Sequence, residues 1–207
     1  GEESKKQVKM RADRICDDLS ENVWFVSETC LNVIEEHIRN IDPDVVVVDS
    51  IQMVYLEEYQ QSPGSLTQVI ECTNRLIEIA KNPSRPRAMF LVGQMTKEDE
   101  LAGHRALEHA VDAVFYLDGE RGEQLRIFRS NKNRFGAVDE IGLWYMTERG
   151  LMPMDNPSEF FIAKRKQPVP GCALTVVREG TRNIVVEIES LVEKTLYGYP
   201  ARVGEGV

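Results

Sequence analysis

Asp44-Val45-Val46-Val47-Val48-Asp49 is a run of four valines between two carboxylates. A continuous β-branched run leaves no polar face, so the pattern predicts a strand covered on both sides, as in a parallel sheet. Leu31, Ile34, Ile38 and Ile41 precede it at helical spacing, and Asp42-Pro43 closes that helix. After it comes a polar loop with Pro63-Gly64. Leu66, Val69, Ile70, Thr73, Leu76, Ile77 and Ala80 then form one helical stripe, broken by Asn82-Pro83-Ser84-Arg85-Pro86. Ala88-Met89-Phe90-Leu91-Val92-Gly93 reads as a second buried strand. Strand, helix and strand in this order predict an α/β fold with a mostly parallel sheet.

Outward from this unit, Ser4–Cys16 reads as a helix with Val8, Ala12 and Ile15 on one face. Ser4 and Gln7 are spaced for a capping box. Asn22-Val23-Trp24-Phe25-Val26 reads as a short strand. Downstream, Val111–Asp118, Gln124–Arg129 and Glu140–Met146 read as strands joined by short turns, an antiparallel extension of the sheet. Asn156-Pro157 and the Pro-rich stretch to Gly171 read as a linker, and Cys172–Arg178 with Asn183–Leu191 as a hairpin around Glu179-Gly180-Thr181. The expected domains are therefore 1–160, a linker 161–170, and the start of a second unit at 171–207.

Composition narrows the function. Lys and Arg number 25 against 34 Asp and Glu, a formal net charge of −9, which argues against nonspecific, whole-surface binding of nucleic acid. A hydrophobic fraction of 42% excludes general disorder. No apolar run reaches membrane-spanning length, and the N-terminus shows no signal peptide, so a cytoplasmic protein without a membrane partner is expected. Cys16, Cys30, Cys72 and Cys172 are scattered, without metal-ligand spacing, and read as reduced, mostly buried thiols.

Several residues could carry chemistry. Asp49 and Ser50 end the most buried strand, where a carboxylate in nucleotide-hydrolysing α/β proteins holds Mg²⁺. Glu2 could orient an attacking water. Gln94 follows the second strand and could sense a terminal phosphate. Lys132-Asn133-Arg134-Phe135-Gly136 places two cations at i and i+2 on a turn, suited to phosphate. No G-x-x-x-x-G-K-S/T loop, dinucleotide fingerprint or serine-hydrolase elbow occurs.

Together these residues resemble the bacterial RadA (Sms) family of RecA-like DNA repair ATPases. The resemblance rests on Gly1–Ser4 with Arg11–Arg14, Asp49–Gln52, Pro63–Ser65 with Gln68-Val69, Leu91–Gly93 with Thr96–Glu98, Leu107–His109, Val111-Asp112, and most specifically Lys132–Gly136. It implies a RecA-like P-loop core, begun downstream of its P-loop, then the first hairpin of a Lon-protease-like domain. The family's four-cysteine zinc finger would lie upstream. It further implies ATP with Mg²⁺, a hexameric ring on single-stranded DNA, a RecA-type recombinase as partner, and branch migration of recombination intermediates.

By the same resemblance, Glu2 is the catalytic glutamate, Asp49 the Walker B carboxylate beside Ser50, and Gln94 the sensor. Lys132 and Arg134 would reach the ATP of a neighbouring subunit, and Lys97 and Arg105 would contact DNA from the central loops. Without a phosphate cradle the 207-residue chain is expected to be inactive alone. The alternative is a non-catalytic module for DNA binding or oligomerisation. A Lon-like peptidase lacks a Ser–Lys pair.

Overall fold

The computed structural model describes residues 4–94, 103–119, 122, 124–156, 158–162, 169–192, 194, 198–199 and 204. Helix α1 spans Lys5–Ile15 and starts with the expected capping box: the Ser4 side chain accepts from Gln7 N, and the Gln7 side chain accepts from Ser4 N at 2.9 Å. Its apolar face is not buried; Val8 and Ala12 are half-covered and Ile15 is exposed. Helix α2 (Leu31–Ile41) ends at Asp42, whose φ of 52° is the left-handed stop expected there.

Strand β1 (Val45–Asp49) pairs in parallel with β2 (Ala88–Val92), and α3 (Leu66–Ala80) makes the crossover between them. Alternation along the strands sends Val46, Val48, Met89 and Leu91 into a core with Leu31, Ile51, Val54, Leu56, Val69, Cys72 and Leu76. The opposite face corrects the sequence reading. Val45, Val47, Phe90 and Val92 are exposed, Val47 by 63%, because no described residue packs over them. Val23–Val26 is not a strand either; its side chains are exposed, and none of its residues joins a described sheet. Pairing begins later: Leu31 N donates to Tyr55 O at 2.8 Å, and Tyr55 N to Thr29 O at 3.0 Å.

Helix α4 (Gly103–Ala110) includes Arg105, which the resemblance assigned to a central loop. It leads into an antiparallel sheet ordered β3 (Ala113–Asp118), β4 (Leu125–Asn133), β5 (Ile141–Thr147), β6 (Gly150–Pro153). The last strand and the short helix α5 (Ser158–Phe161) were unforeseen. The hairpin is β7 (Cys172–Glu179) with β8 (Arg182–Glu189). It shares a core with the sheet, in which Ile184 joins Leu125, Leu143 and Met154, and Val185 N donates to Ser158 Oγ at 3.1 Å. Most of the expected linker, 163–168, lies outside the described residues.

One buried side chain fastens the segment after β1 to the crossover helix. Gln68, on α3, is 1% exposed. Its Oε1 accepts from Leu56 N at 2.9 Å, and its Nε2 donates to Leu56 O, Tyr59 O and Gln61 O at 3.1, 3.1 and 3.0 Å. The thiols divide, rather than being mostly buried: Cys30 and Cys72 are buried, Cys16 is exposed and Cys172 intermediate. Burial pushes the Cys72 thiol up to about 11.

Two outcomes follow from this packing. Gln68→Ala leaves the buried Leu56 N–H without its acceptor and should cost roughly 2–3 kcal/mol. Urea unfolding would show this as a lower midpoint at the same slope, and an unshifted midpoint would refute it. At pH 8, a thiol reagent should modify Cys16 promptly and leave Cys72 untouched until the chain is unfolded, as peptide mapping would reveal.

Candidate functional site

Parallel pairing in the register Val45↔Ala88 through Asp49↔Val92 brings the carboxyl ends of β1 and β2 to one edge. Ligands of open α/β sheets bind at such edges. Asp49 ends β1 and is exposed, whereas Ser50 behind it is 2% exposed. The peptide between them is cis. A 3-10 turn, Ile51–Met53, follows, and Gln52 Nε2 donates to Gln94 O at 3.0 Å, tying that turn to the end of β2. The structure thus gathers Asp49, Ser50 and Gln94, and adds Gln52.

Two oxygens here are buried without a hydrogen-bond partner among the described residues: Ser50 Oγ and Gln52 Oε1. Buried polar atoms are nearly always paired, so orphaned ones call for a partner. A carboxylate, a hydroxyl and an amide oxygen are hard oxygen donors, the set that suits Mg²⁺ and its phosphate-bound waters. By donor chemistry, Asp49, exposed at the strand edge, with Ser50 next to it, fits the implied ion.

The second cluster lies at the end of α4. Phe115 pairs with Ser130 but Val114 pairs with Lys132, so Asn131 is an extra residue in β4. Such a bulge re-aims the side chains beside it. Lys132 and Asn133 therefore close the strand, and only Arg134 and Phe135 form the turn. Asn133 Oδ1 accepts from Phe135 N at 3.0 Å, which leaves the Phe135 ring 83% exposed.

Lys132 Nζ donates to the carbonyls of Glu108, His109 and Val111 at 2.6, 3.1 and 2.8 Å. This places a cation on the negative end of the α4 dipole. Arg134 Nη1 meets Asp112 Oδ1 at 2.8 Å, its Nη2 donates to His109 O at 3.3 Å, and its backbone N–H donates to Asp112 O at 3.0 Å. Lys81, the cap of α3, reaches the same Asp112 oxygen at 3.1 Å. The Lys81 hydrogen bond, then Arg134, holds the Asp112 carboxyl below its usual 3.8.

The remaining sequence candidates divide. Glu2 and Lys97 lie outside the described residues. Arg105 falls in α4 rather than a loop, and its side chain is outside them. Arg129, on β4, pairs with Asp118 at 3.0 Å. Sequence reasoning missed Asp112 and Gln52 as site residues; the signal for Asp112 was its position directly after the helix that Leu107 and Ala110 could have announced. The thiol and carboxylates of Cys172, Glu187 and Glu189 also lie within 4.8 Å of one another on the hairpin.

A depressed carboxyl contributes stability above its unfolded value and loses it as pH falls through the folded one. The Lys81–Asp112–Arg134 contact should therefore be intact at neutral pH. A carboxyl-carbon NMR titration is expected to give Asp112 a midpoint below 3.8, moving up in Arg134→Ala. A midpoint that ignores the substitution would show that Arg134 does not act on Asp112.

Comparison with known proteins places these two clusters in context. The chain is 44% identical to the DNA repair protein RadA of Halalkalibacterium halodurans over 207 residues, all of this chain and 45% of the relative. RadA of Bacillus subtilis is 45% identical over 207 residues, covering all of this chain and 44% of its own length. RadA of Helicobacter pylori J99 is 42% identical over 206 residues, with 45% of its length covered. The chain thus spans less than half the length of these curated relatives, and its sequence is RadA-like throughout. A solved RadB recombinase is a more distant likeness, at 22% identity and a TM-score of 0.41 over 58% of this chain and 56% of its own. No protein-family model matches.

Proposed function

We propose that this RadA-like chain is the part of a DNA-dependent repair and recombination ATPase that carries the metal-binding carboxylate and the cations that act between subunits. The observation that supports this most directly is the strand edge, where Asp49 ends β1 and Ser50 and Gln52, just after it, carry buried oxygens without a partner among the described residues. Asp49 and Ser50 would hold Mg²⁺, which when bound neutralises charge on the phosphate oxygens of ATP. Gln52, bonded to the Gln94 carbonyl, links that edge to the end of β2, so Gln94 is positioned to report on the terminal phosphate. Glu2 is assigned the water-orienting role.

In this reading Lys132 and Arg134 act on the ATP of a neighbouring copy, making hydrolysis depend on assembly into a ring. Lys97 and Arg105 contact the phosphates of single-stranded DNA. Work on recombination intermediates alongside a RecA-type recombinase, in the cytoplasm, completes the proposal. Among the described residues, no helix is long and apolar enough to cross a membrane. The 207-residue sequence contains no P-loop motif, so the chain by itself acts at most as a binding or assembly module.

Asp49→Asn in the full-length protein is expected to weaken Mg²⁺-dependent hydrolysis; an unchanged metal titration would remove Asp49 from the site. Lys132→Ala is expected to abolish DNA-stimulated turnover while a fluorescent ATP analogue still binds. Normal turnover in that variant would end the intersubunit role.

A further inference from the structure

We propose that Asp112 is a positioning residue for Arg134, so that Arg134 is presented ready for a phosphate whereas Lys132 can reach one only by leaving its seat. The proposal rests on the reading above, in which this turn meets nucleotide phosphate on a neighbouring copy.

Donor capacity separates the two cations. A lysine ammonium has three N–H donors. Lys132 spends all of them on Glu108, His109 and Val111 carbonyls. So seated, it stabilises the end of α4 and has nothing left to offer an anion. A guanidinium carries five donors in a rigid fork. Arg134 uses one nitrogen on Asp112 and another on the His109 carbonyl, and its side chain is 49% exposed. Donors remain, and the plane of the fork is already set.

Asp112 is itself held from two directions. Lys81 grips its carboxylate from α3, and its main-chain oxygen takes the Arg134 N–H at 3.0 Å. Backbone and side chain of Arg134 are thus both referred to one residue. Ordering a long side chain in advance removes the rotamer entropy that it would otherwise lose on meeting its ligand. Asp112 touches neither substrate nor ion in this scheme; it acts through Arg134.

The test uses the full-length protein, ATP and single-stranded DNA. Arg134→Ala should lower kcat by about 10³-fold, the scale of a lost arginine finger. Asp112→Asn should lower kcat on the order of 10–100-fold, as misplacement does, with KM for ATP little changed. Lys81→Met removes one of the two holds on Asp112 and should lower kcat, but by less than Asp112→Asn does. In an Arg134→Ala background, Asp112→Asn should add no further loss. Asp112→Glu keeps the charge but shifts the carboxylate by one methylene, and should fall between parent and Asn.

The outcomes are separable. An active Arg134→Ala would sink the intersubunit reading itself. A crippled Arg134→Ala beside a fully active Asp112→Asn would overturn only the positioning role. Additive losses in the double variant would show Asp112 acting on the fold rather than through Arg134.

Discussion

Two parallel strands cannot be joined by a tight turn, and that constraint organises the first half of the molecule. The chain must cross back over the sheet, and α3 is the element that does so. A single crossover puts both carboxyl ends at one edge, which is why Asp49 and Gln94, far apart in sequence, are neighbours in space. The same crossover supplies the apolar stripe that buries Val46 and Val48. It also supplies Gln68, whose amide bonds the Leu56 N–H and the carbonyls of Leu56, Tyr59 and Gln61 in the irregular segment. The site edge is therefore as well placed as the helix behind it.

The second half is organised by a helix end and a bulge. The last carbonyls of α4 have no intrahelical donors and need cations or water. The extra residue in β4 turns Lys132 toward them, and Arg134 follows onto Asp112. A local irregularity in one strand thus decides where the basic turn of this sequence sits.

Periodicity made the scaffold legible. The Ser4 capping box, the Leu31–Ile41 and Leu66–Ala80 helices, and the 172–189 hairpin all stand as their spacing predicts. What failed depends on partners rather than pattern. The valine run implied two covered faces, yet hydrophobicity states what a face requires and not what lies over it, and no described residue packs over Val45 and Val47. Val23–Val26 has strand chemistry, but a strand exists only by hydrogen bonding to another. That Asp49 and Ser50 sit at the end of β1, and the basic pair at the end of β4 and its turn, was readable from residue type and position. Asp112 was not, because an acid after a short helix gains meaning only when Lys81 and Arg134 converge on it.

The two clusters are opposite in their satisfaction, and this bears on how they could work together. The strand edge holds buried oxygens that lack donors among the described residues, whereas the turn holds cations already engaged in hydrogen bonds. Three neutral carbonyls hold Lys132, so any competitor must offer more than another neutral acceptor. Phosphate does: the ammonium–carbonyl bonds are already charge-assisted, and a phosphate adds full charge–charge attraction to them. In the proposed reading, these resting contacts favour a highly charged anion: Lys132 would leave α4 only for phosphate, and Arg134, held by Asp112 with donors to spare, would meet it first.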